Sequence, residues 1–256
     1  MFVCVKEQTD GFGSQFQNII SAIIFAELNN FQFVHIPFKK LEHNYNKDPL
    51  FVQRLEELMK IDKKYSRMND EIKNKKFFVN KYGHFKIFFD GNIEKFLNSK
   101  ALYDIKISYM ANKKSKEFYF PNLHNMFNVV IHIRNINSHD KQQYYKQQMY
   151  NYELKTQIKT SIIVMRNIVK KYEGKKIMFH IMSQGGQCKF KLISKYFKNV
   201  KFHLDTPIET TFHQMVIADV LVTSKSSLSY TAALLTNNQV YYKKFWHKGS
   251  NKWIHF

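Results

Sequence analysis

The stretch from Asn128 to Asn137, N-V-V-I-H-I-R-N-I-N, narrows the choice of fold more than any other part of the chain. Val129, Val130 and Ile131 are apolar at consecutive positions, so both faces of the strand they form must be covered, the condition of an interior strand in a parallel sheet. The run then delivers His132 and Arg134 into a polar loop, Asn135 to Gln148. In open α/β sheets ligands sit beyond the carboxyl ends of the strands. Arg134 is therefore placed to meet an anion, and its planar fork of donors suits a phosphate. A partner carboxylate at the strand end is the plainer alternative.

The rest of the second half repeats the pattern. A long helix follows the loop, with Leu154, Ile158, Ile162, Met165, Ile168 and Val169 along one side and Gly174 as its stop signal. Lys176 to Met182 reads as a strand ending in Ser183-Gln184-Gly185-Gly186. Then come a helix near Lys189 to Phe197, a strand at Val200 to Leu204, a helix at Ile208 to Ile217 and a strand at Val220 to Thr223. That strand runs into Ser224-Lys225-Ser226-Ser227-Leu228-Ser229-Tyr230, a helix continues through Thr231 to Leu235, and Val240 to Tyr242 is a last strand. The alternation predicts a parallel sheet with helices on both faces.

The first half carries the same signals less clearly. Phe2 to Val5 is a short strand, and Asp10-Gly11-Phe12-Gly13-Ser14-Gln15 is a tight turn feeding a helix to about Asn30 with Phe16, Ile19, Ile20, Ile23, Ile24 and Leu28 at helical spacing. Gln32 to Ile36 is a second strand. Asp48-Pro49 opens a helix with Asp48 as its cap and Phe51, Leu55, Leu58 and Met59 inward. Residues 62–76 read as a charged surface connection. Within the aromatic-rich stretch 77–120, a strand near Lys86 to Phe89 and a helix from Asn92 to Leu97 are expected. Pro121 to Asn125 is the expected boundary, giving domains 1–124 and 125–256.

Forty Lys and Arg against 20 Asp and Glu leave a net charge of +20, which attracts nucleic acid, a membrane surface or a nucleotide-bearing substrate without choosing among them. Two cysteines without C-x-x-C spacing, Cys4 and Cys188, imply neither a zinc site nor a disulfide framework. With no signal-peptide or bilayer-spanning run, a soluble cytoplasmic protein is expected.

Three strand ends converge on one rim of the second half: His132 with Arg134, Ser183 to Gly186, and Ser224 to Ser229. Four serines in six residues beside a lysine exceed what one helix cap needs, which points to a phosphate. There is no G-x-x-x-x-G-K-[ST], no full G-x-G-x-x-G, no H-E-x-x-H, no D-x-D and no G-x-S-x-G. His132 and His139 lack ligand spacing, so no metal site is expected.

The turn D-G-F-G-S-Q-F-Q-N at 10–18, I-H-I-R at 131–134 and A-D-V-L-V-T-S-K-S-S-L-S-Y-T-A-A at 218–233 resemble, in order, three motifs of the fucosyltransferase-like superfamily of α-1,2-, α-1,6- and protein O-fucosyltransferases. The resemblance implies a metal-independent, inverting glycosyltransferase of the GT-B type: two Rossmann-like domains with parallel sheets facing across a cleft, acceptor side first and nucleotide-sugar side second. It implies that Arg134 grips the donor diphosphate and offsets charge on the leaving group. It implies that His132, Ser226, Ser227 and Ser229 shape the same pocket, to which the converging strand ends add Ser183, Gly185 and Ser224 as expected donor contacts, and that Gly11, Gly13 and Gln15, with Phe12 and Ser14 of the same turn, belong to the acceptor side of the cleft. Asp10 is the expected catalytic base.

No cofactor is implied beyond the donor, with GDP-fucose first and another GDP- or UDP-sugar, such as a xylose or rhamnose donor, second. A glycan or glycoprotein is the expected acceptor. Two departures from the family pattern bear on the sugar: Ser14 stands where asparagine is usual, and Asn135 to Asn137 lack a following R-x-x-D. The rival from another class is a basic nucleic-acid-binding module without catalysis, consistent with the charge and the 16% aromatic content.

Overall fold

The structure is a computed structural model that describes residues 1–6, 9–61, 64–80, 84–111, 113–123, 125–135 and 147–256, with backbone alone at 79–80, 84–87 and 147–150. It divides into two compact units, Met1–Lys113 with Phe245–Asn251, and Lys114–Lys244 with Lys252–Phe256.

The first unit runs β1 (Phe2–Val5), α1 (Phe12–Leu28), β2 (Gln32–His35), α2 (Phe51–Met59), β3 (Ser66–Arg67), α3 (Asp70–Lys73), β4 (Phe77–Asn80), α4 (His84–Gly91), α5 (Ile93–Leu97) and α6 (Lys100–Met110). Among the described residues its four strands are parallel in the order β3-β2-β1-β4. Helix α1 is buried almost all round, including Gln17, Ser21, Ala22 and Ala26, because α4 and α6 cover the side turned away from the sheet. The expected strand at Lys86 to Phe89 is helical instead. There Phe89 lies edge-on to Phe96 at 4.8 Å and Phe88 edge-on to Phe25 at 5.3 Å, so docking of aromatic rings outweighs their strand propensity. Asp48 lies ahead of the cap of α2, which is Leu50; its carboxylate takes the Leu50 N–H at 2.9 Å and pairs with Arg54 at 2.6 Å.

Residues 245–251 complete this unit from the far end of the chain. The N–H of Lys248 donates to Asp90, the N–H of Asn251 and the hydroxyl of Ser250 donate to Glu94, and His247 Nδ1 lies 3.2 Å from Gln17 Nε2.

The second unit runs α7 (Lys116–Tyr119), β5 (Phe127–His132), α8 (Gln147–Lys171), β6 (Ile177–Ser183), α9 (Lys191–Tyr196), β7 (Val200–Leu204), α10 (Ile208–Ile217), β8 (Val220–Val222), α11 (Ser227–Leu235), β9 (Gln239–Tyr242) and β10 (Ile254–His255). Among the described residues six parallel strands lie in the order β10-β9-β8-β5-β6-β7, so the chain winds outward from β5 in one direction, returns, and winds outward from β8 in the other. With right-handed crossovers this order puts α8 and α9 on one face and α10 and α11 on the other.

Residues 114–120 belong here because Lys116 Nζ bonds both oxygens of Asp219 at 2.8 Å and Gln214 Nε2 donates to the Tyr119 carbonyl at 2.7 Å. Asp219 also takes the Asn128 N–H at 2.7 Å, fixing the start of β5. Of the loop expected over Asn135 to Gln148, residues 136–146, His139 among them, lie outside the described residues.

The core of this unit joins Leu154, Ile158, Ile162, Met165 and Ile168 of α8 to Val129, Ile131, Phe179 and Ile181 of the sheet. Val169, expected on the same side, follows Ile158, Ile162 and Met165 along the helix but lies in its last turn, two residues before the end of α8, and is 44% exposed. Urea unfolding of the full chain is expected to separate the two: Ile168→Ala costs about 3 kcal/mol and Val169→Ala stays within about 0.5 kcal/mol.

Candidate functional site

Strand order reverses between β5 and β8, and the carboxyl ends of these two neighbours diverge there. At this point His132 Nδ1 lies 2.9 Å from Ser224 Oγ. Ser224 opens the turn that leads into α11, and each bend of that turn is tied internally. The Ser224 N–H donates to Ser229 Oγ at 3.2 Å, Ser229 Oγ donates to the Ser226 carbonyl at 3.3 Å, and the Ser226 N–H donates to the Ser224 carbonyl at 2.8 Å.

Ser226 is the cap of α11 and accepts from the Leu228 N–H. Ser224, Ser226 and Ser229 are buried; the hydroxyls of Ser226 and Ser229 serve the turn itself, and that of Ser224 meets His132. Ser227 is half-buried, and its hydroxyl makes no hydrogen bond to another described residue. First-turn amides of a helix have no acceptor within it, so this end of α11 concentrates donors.

Arg134 is held by its backbone. Gln157 on α8 brackets it, with Oε1 accepting the Arg134 N–H and Nε2 donating to the Arg134 carbonyl, both at 3.1 Å. Ser183, at the end of the neighbouring β6, donates to the Ile133 carbonyl at 2.7 Å and ties the two strand ends together. Gly185 has φ +86°, and a Cβ there would come within 3.1 Å of Asn135 Nδ2 and 3.5 Å of Lys189 Nζ. Its N–H donates to Asp205 at 2.9 Å, and Asn135 donates to the Gln184 carbonyl at 2.8 Å. Thus Arg134, His132, Ser183, Gly185 and the Ser224–Ser229 turn share the carboxyl edge of three adjacent strands, β6, β5 and β8.

Gln157, Asp205 and Lys189 lie outside the sequence motifs. Only the sheet order brings them to this rim; Gln157 falls one turn from Leu154 on a helix whose spacing advertises core alone.

In the first unit, Asp10 Oδ1 accepts the Gly11 N–H at 2.7 Å, and Gln15 Nε2 donates to the carbonyls of Asp10 at 2.9 Å and Lys40 at 3.3 Å. Gly11 is the cap of α1, and a Cβ there would meet the His43 ring at 2.8 Å, which is why the position has no side chain. Phe12, Gly13 and Gln15 are buried and Ser14 is half-buried. Phe12 and Gln15 are thus committed to the unit's own packing and loop closure, and Asp10 and Ser14 are the more accessible groups of the turn.

Among the described residues, no group of three or more His, Cys, Asp or Glu side chains is arranged to hold a metal ion, and no helix is long and apolar enough to cross a membrane.

No protein-family model matches the chain, and no curated protein matches it in sequence. Among solved structures, NodZ alpha-1,6-fucosyltransferase soaked with GDP-fucose, a protein from Bradyrhizobium, superposes with a TM-score of 0.51 at 9% identity over 91% of this chain and 92% of its own. The E. coli heptosyltransferase WaaC with ADP-2-deoxy-2-fluoro heptose gives 0.43 at 13% identity over 100% and 93%, and a variant of Arabidopsis thaliana FUT1 in complex with GDP gives 0.43 at 11% over 98% and 71%. The first of these likenesses concerns the fold: this chain has the two-sheet α/β GT-B fold.

Enclosure at the strand end, and then the Arg134 guanidinium, pull the His132 pKa down to about 3. Burial first, and neighbouring cationic groups second, pull His180 to about 3 and His203 to about 4. All three rings are neutral in the folded chain near pH 6, whereas in the unfolded chain they take up protons below about pH 6.5. Their contribution to stability is therefore complete above about pH 6.5 and lost as the pH falls towards about 3. The expected outcome is a lower urea midpoint at about pH 5 than at about pH 7.5, with nitrogen NMR shifts of the three rings still those of neutral imidazole at the lower pH.

Proposed function

We propose that the protein is a glycosyltransferase that takes a sugar from a nucleoside diphosphate donor to a hydroxyl acceptor on a glycan or glycoprotein, without a metal ion, and that GDP-fucose is its donor. Donors of the same kind, a GDP- or UDP-linked xylose or rhamnose, come second. The observation that carries this reading is the pairing of His132 with Ser224 at the point where strand order reverses. A guanidinium and the donor-rich start of a helix belong to the same edge, and this is the position at which parallel α/β sheets hold nucleotides. The soaking of NodZ with GDP-fucose accords with the donor class.

In the proposed reaction, the bond between the sugar and the β-phosphate breaks and charge accumulates on the leaving nucleoside diphosphate. Arg134 offsets that charge with a fork of fixed donors, and Gln157 keeps its backbone from shifting as the charge develops. Neutral His132 adds no competing positive charge and braces the Ser224 turn. Ser227, whose hydroxyl the fold leaves uncommitted among the described residues, adds a donor to the diphosphate together with the first amides of α11. Asp10 takes the proton of the acceptor hydroxyl, with one of its oxygens oriented by the Gly11 N–H.

The direct test is a thermal-shift and turnover screen over a panel of nucleotide sugars, with and without a chelator. GDP is expected to stabilise the protein equally in both conditions, and GDP-fucose to be turned over. No shift with any nucleoside diphosphate would remove the donor reading.

Arg134→Ala is expected to leave the unfolding midpoint in place and lower turnover at least about tenfold, which is on the order of 1.4 kcal/mol of transition-state stabilisation. Ser227→Ala is expected to weaken GDP binding several-fold at unchanged stability, whereas Ser226→Ala costs about 1 kcal/mol of stability through the lost cap. Asp10→Asn is expected to lower kcat while leaving the GDP-induced thermal shift intact.

A further inference from the structure

The positive charge is unevenly placed. Twenty-one Lys and Arg face seven Asp and Glu in the second unit, which carries 14 of the 20 excess charges. Within residues 151–201 the count is 12 against two, and that stretch builds α8, β6, α9 and the first residues of β7. Most of these cations have no part in the donor rim. Seven of the twelve lie on α8 and α9, the layer that covers one face of the sheet.

On α8, Tyr152, Lys155, Lys159, Ile163, Arg166 and Lys170 follow one another at spacings of three and four and are all exposed, so they form one stripe along the helix. From Tyr152 to Lys170 that stripe runs about 27 Å at 1.5 Å per residue. Helix α9 lies beside it and extends the surface with exposed Lys191, Lys195 and Tyr196. The Arg166 guanidinium sits 4.7 Å over the Tyr196 ring and joins the two helices.

Apolar and aromatic groups are set among the cations: Tyr152 is 74% exposed, Ile163 57% and Tyr196 49%. Glu153 is the one acid between residues 151 and 172, and it pairs with Lys225 at 3.5 Å.

We infer that this outer face of α8 and α9 is a peripheral membrane-docking surface for anionic lipid headgroups. A row of lysines and an arginine is attracted to the negative leaflet, and exposed Ile163, Tyr152 and Tyr196 gain by entering the headgroup and acyl boundary, as on an interfacial amphipathic helix. A polynucleotide would use the cations but has no hydrophobic phase in which to bury an isoleucine, and this distinguishes the two polyanions. None of these surface residues is among those of the donor rim, and the inference stands or falls independently of the proposed reaction.

Sedimentation of the full chain with vesicles tests it. Binding is expected to vesicles of phosphatidylcholine containing about a third phosphatidylglycerol, to be absent with phosphatidylcholine alone, and to weaken as salt is raised. Lys159→Glu combined with Lys170→Glu and Lys195→Glu should lower the partition coefficient at least about tenfold, since each cation near an anionic leaflet contributes about fivefold. Ile163→Ser combined with Tyr196→Ser should lower it several-fold with the charge unchanged. Both variants carry substitutions on the exposed face alone, and an unchanged urea midpoint and GDP-induced thermal shift keep a loss of folding from imitating the result.

Failure of the native chain to sediment with anionic vesicles overturns the inference. So does binding that the serine variant retains in full while single-stranded RNA competes it away, which would assign the face to nucleic acid.

Discussion

The hydrogen bond between His132 and Ser224 joins the two strands from which the second sheet is wound in opposite directions. Strands β5 and β8 are paired only through Val129–Ile131 and Val220–Val222; past those residues the chains part, β5 towards α8 and β8 towards α11. A gap opens at such a point in every doubly wound sheet, and its walls are backbone whose polar groups must be satisfied. Here the imidazole spans it. Burial keeps that ring neutral, so the bridge links two neutral groups and leaves Arg134 as the cation at the end of β5.

The serine turn has a division of labour that follows from burial. Ser224, Ser226 and Ser229 are enclosed, and an enclosed hydroxyl without a partner is costly, so each is spent on a backbone or side-chain group nearby. Ser227 is more open and stays uncommitted among the described residues. The cluster is therefore both a structural device that shapes the turn and, at one position, a group available to an anion. Gln157 does similar work for Arg134 by closing both of its backbone hydrogen bonds from the helix that follows, so the guanidinium projects from a fixed base.

A second polar line runs through the same unit. The Asn128 carboxamide nitrogen donates to the Leu123 and Met126 carbonyls, which turns its oxygen towards His180 Nε2. His180 therefore carries its proton on Nε2 and accepts at Nδ1 from His203, 2.9 Å away. With Asp219 receiving both Lys116 and the Asn128 N–H, this line fastens the segment before β5 to the sheet, so residues 114–126 join the second unit and not the first.

From the chain alone, the periodic apolar runs determined the alternating strands and helices of the second half, with Val200–Leu204 and Ile208–Ile217 matching to the residue, because burial on a sheet imposes a period that leaves its mark locally. The motifs around His132, Arg134, Ser183 and Ser224 were legible for the same reason, since each lies where an apolar run ends. Tertiary structure alone decided that Phe77–Asn80 is the strand and His84–Gly91 the helix, that Val169 at the end of α8 is left exposed, and that residues 245–251 complete the first unit. It also decided that Gln157, Lys189 and Asp205 stand at the rim. These outcomes depend on which elements become neighbours, and contacts between residues far apart in the chain carry no local period from which that could be read.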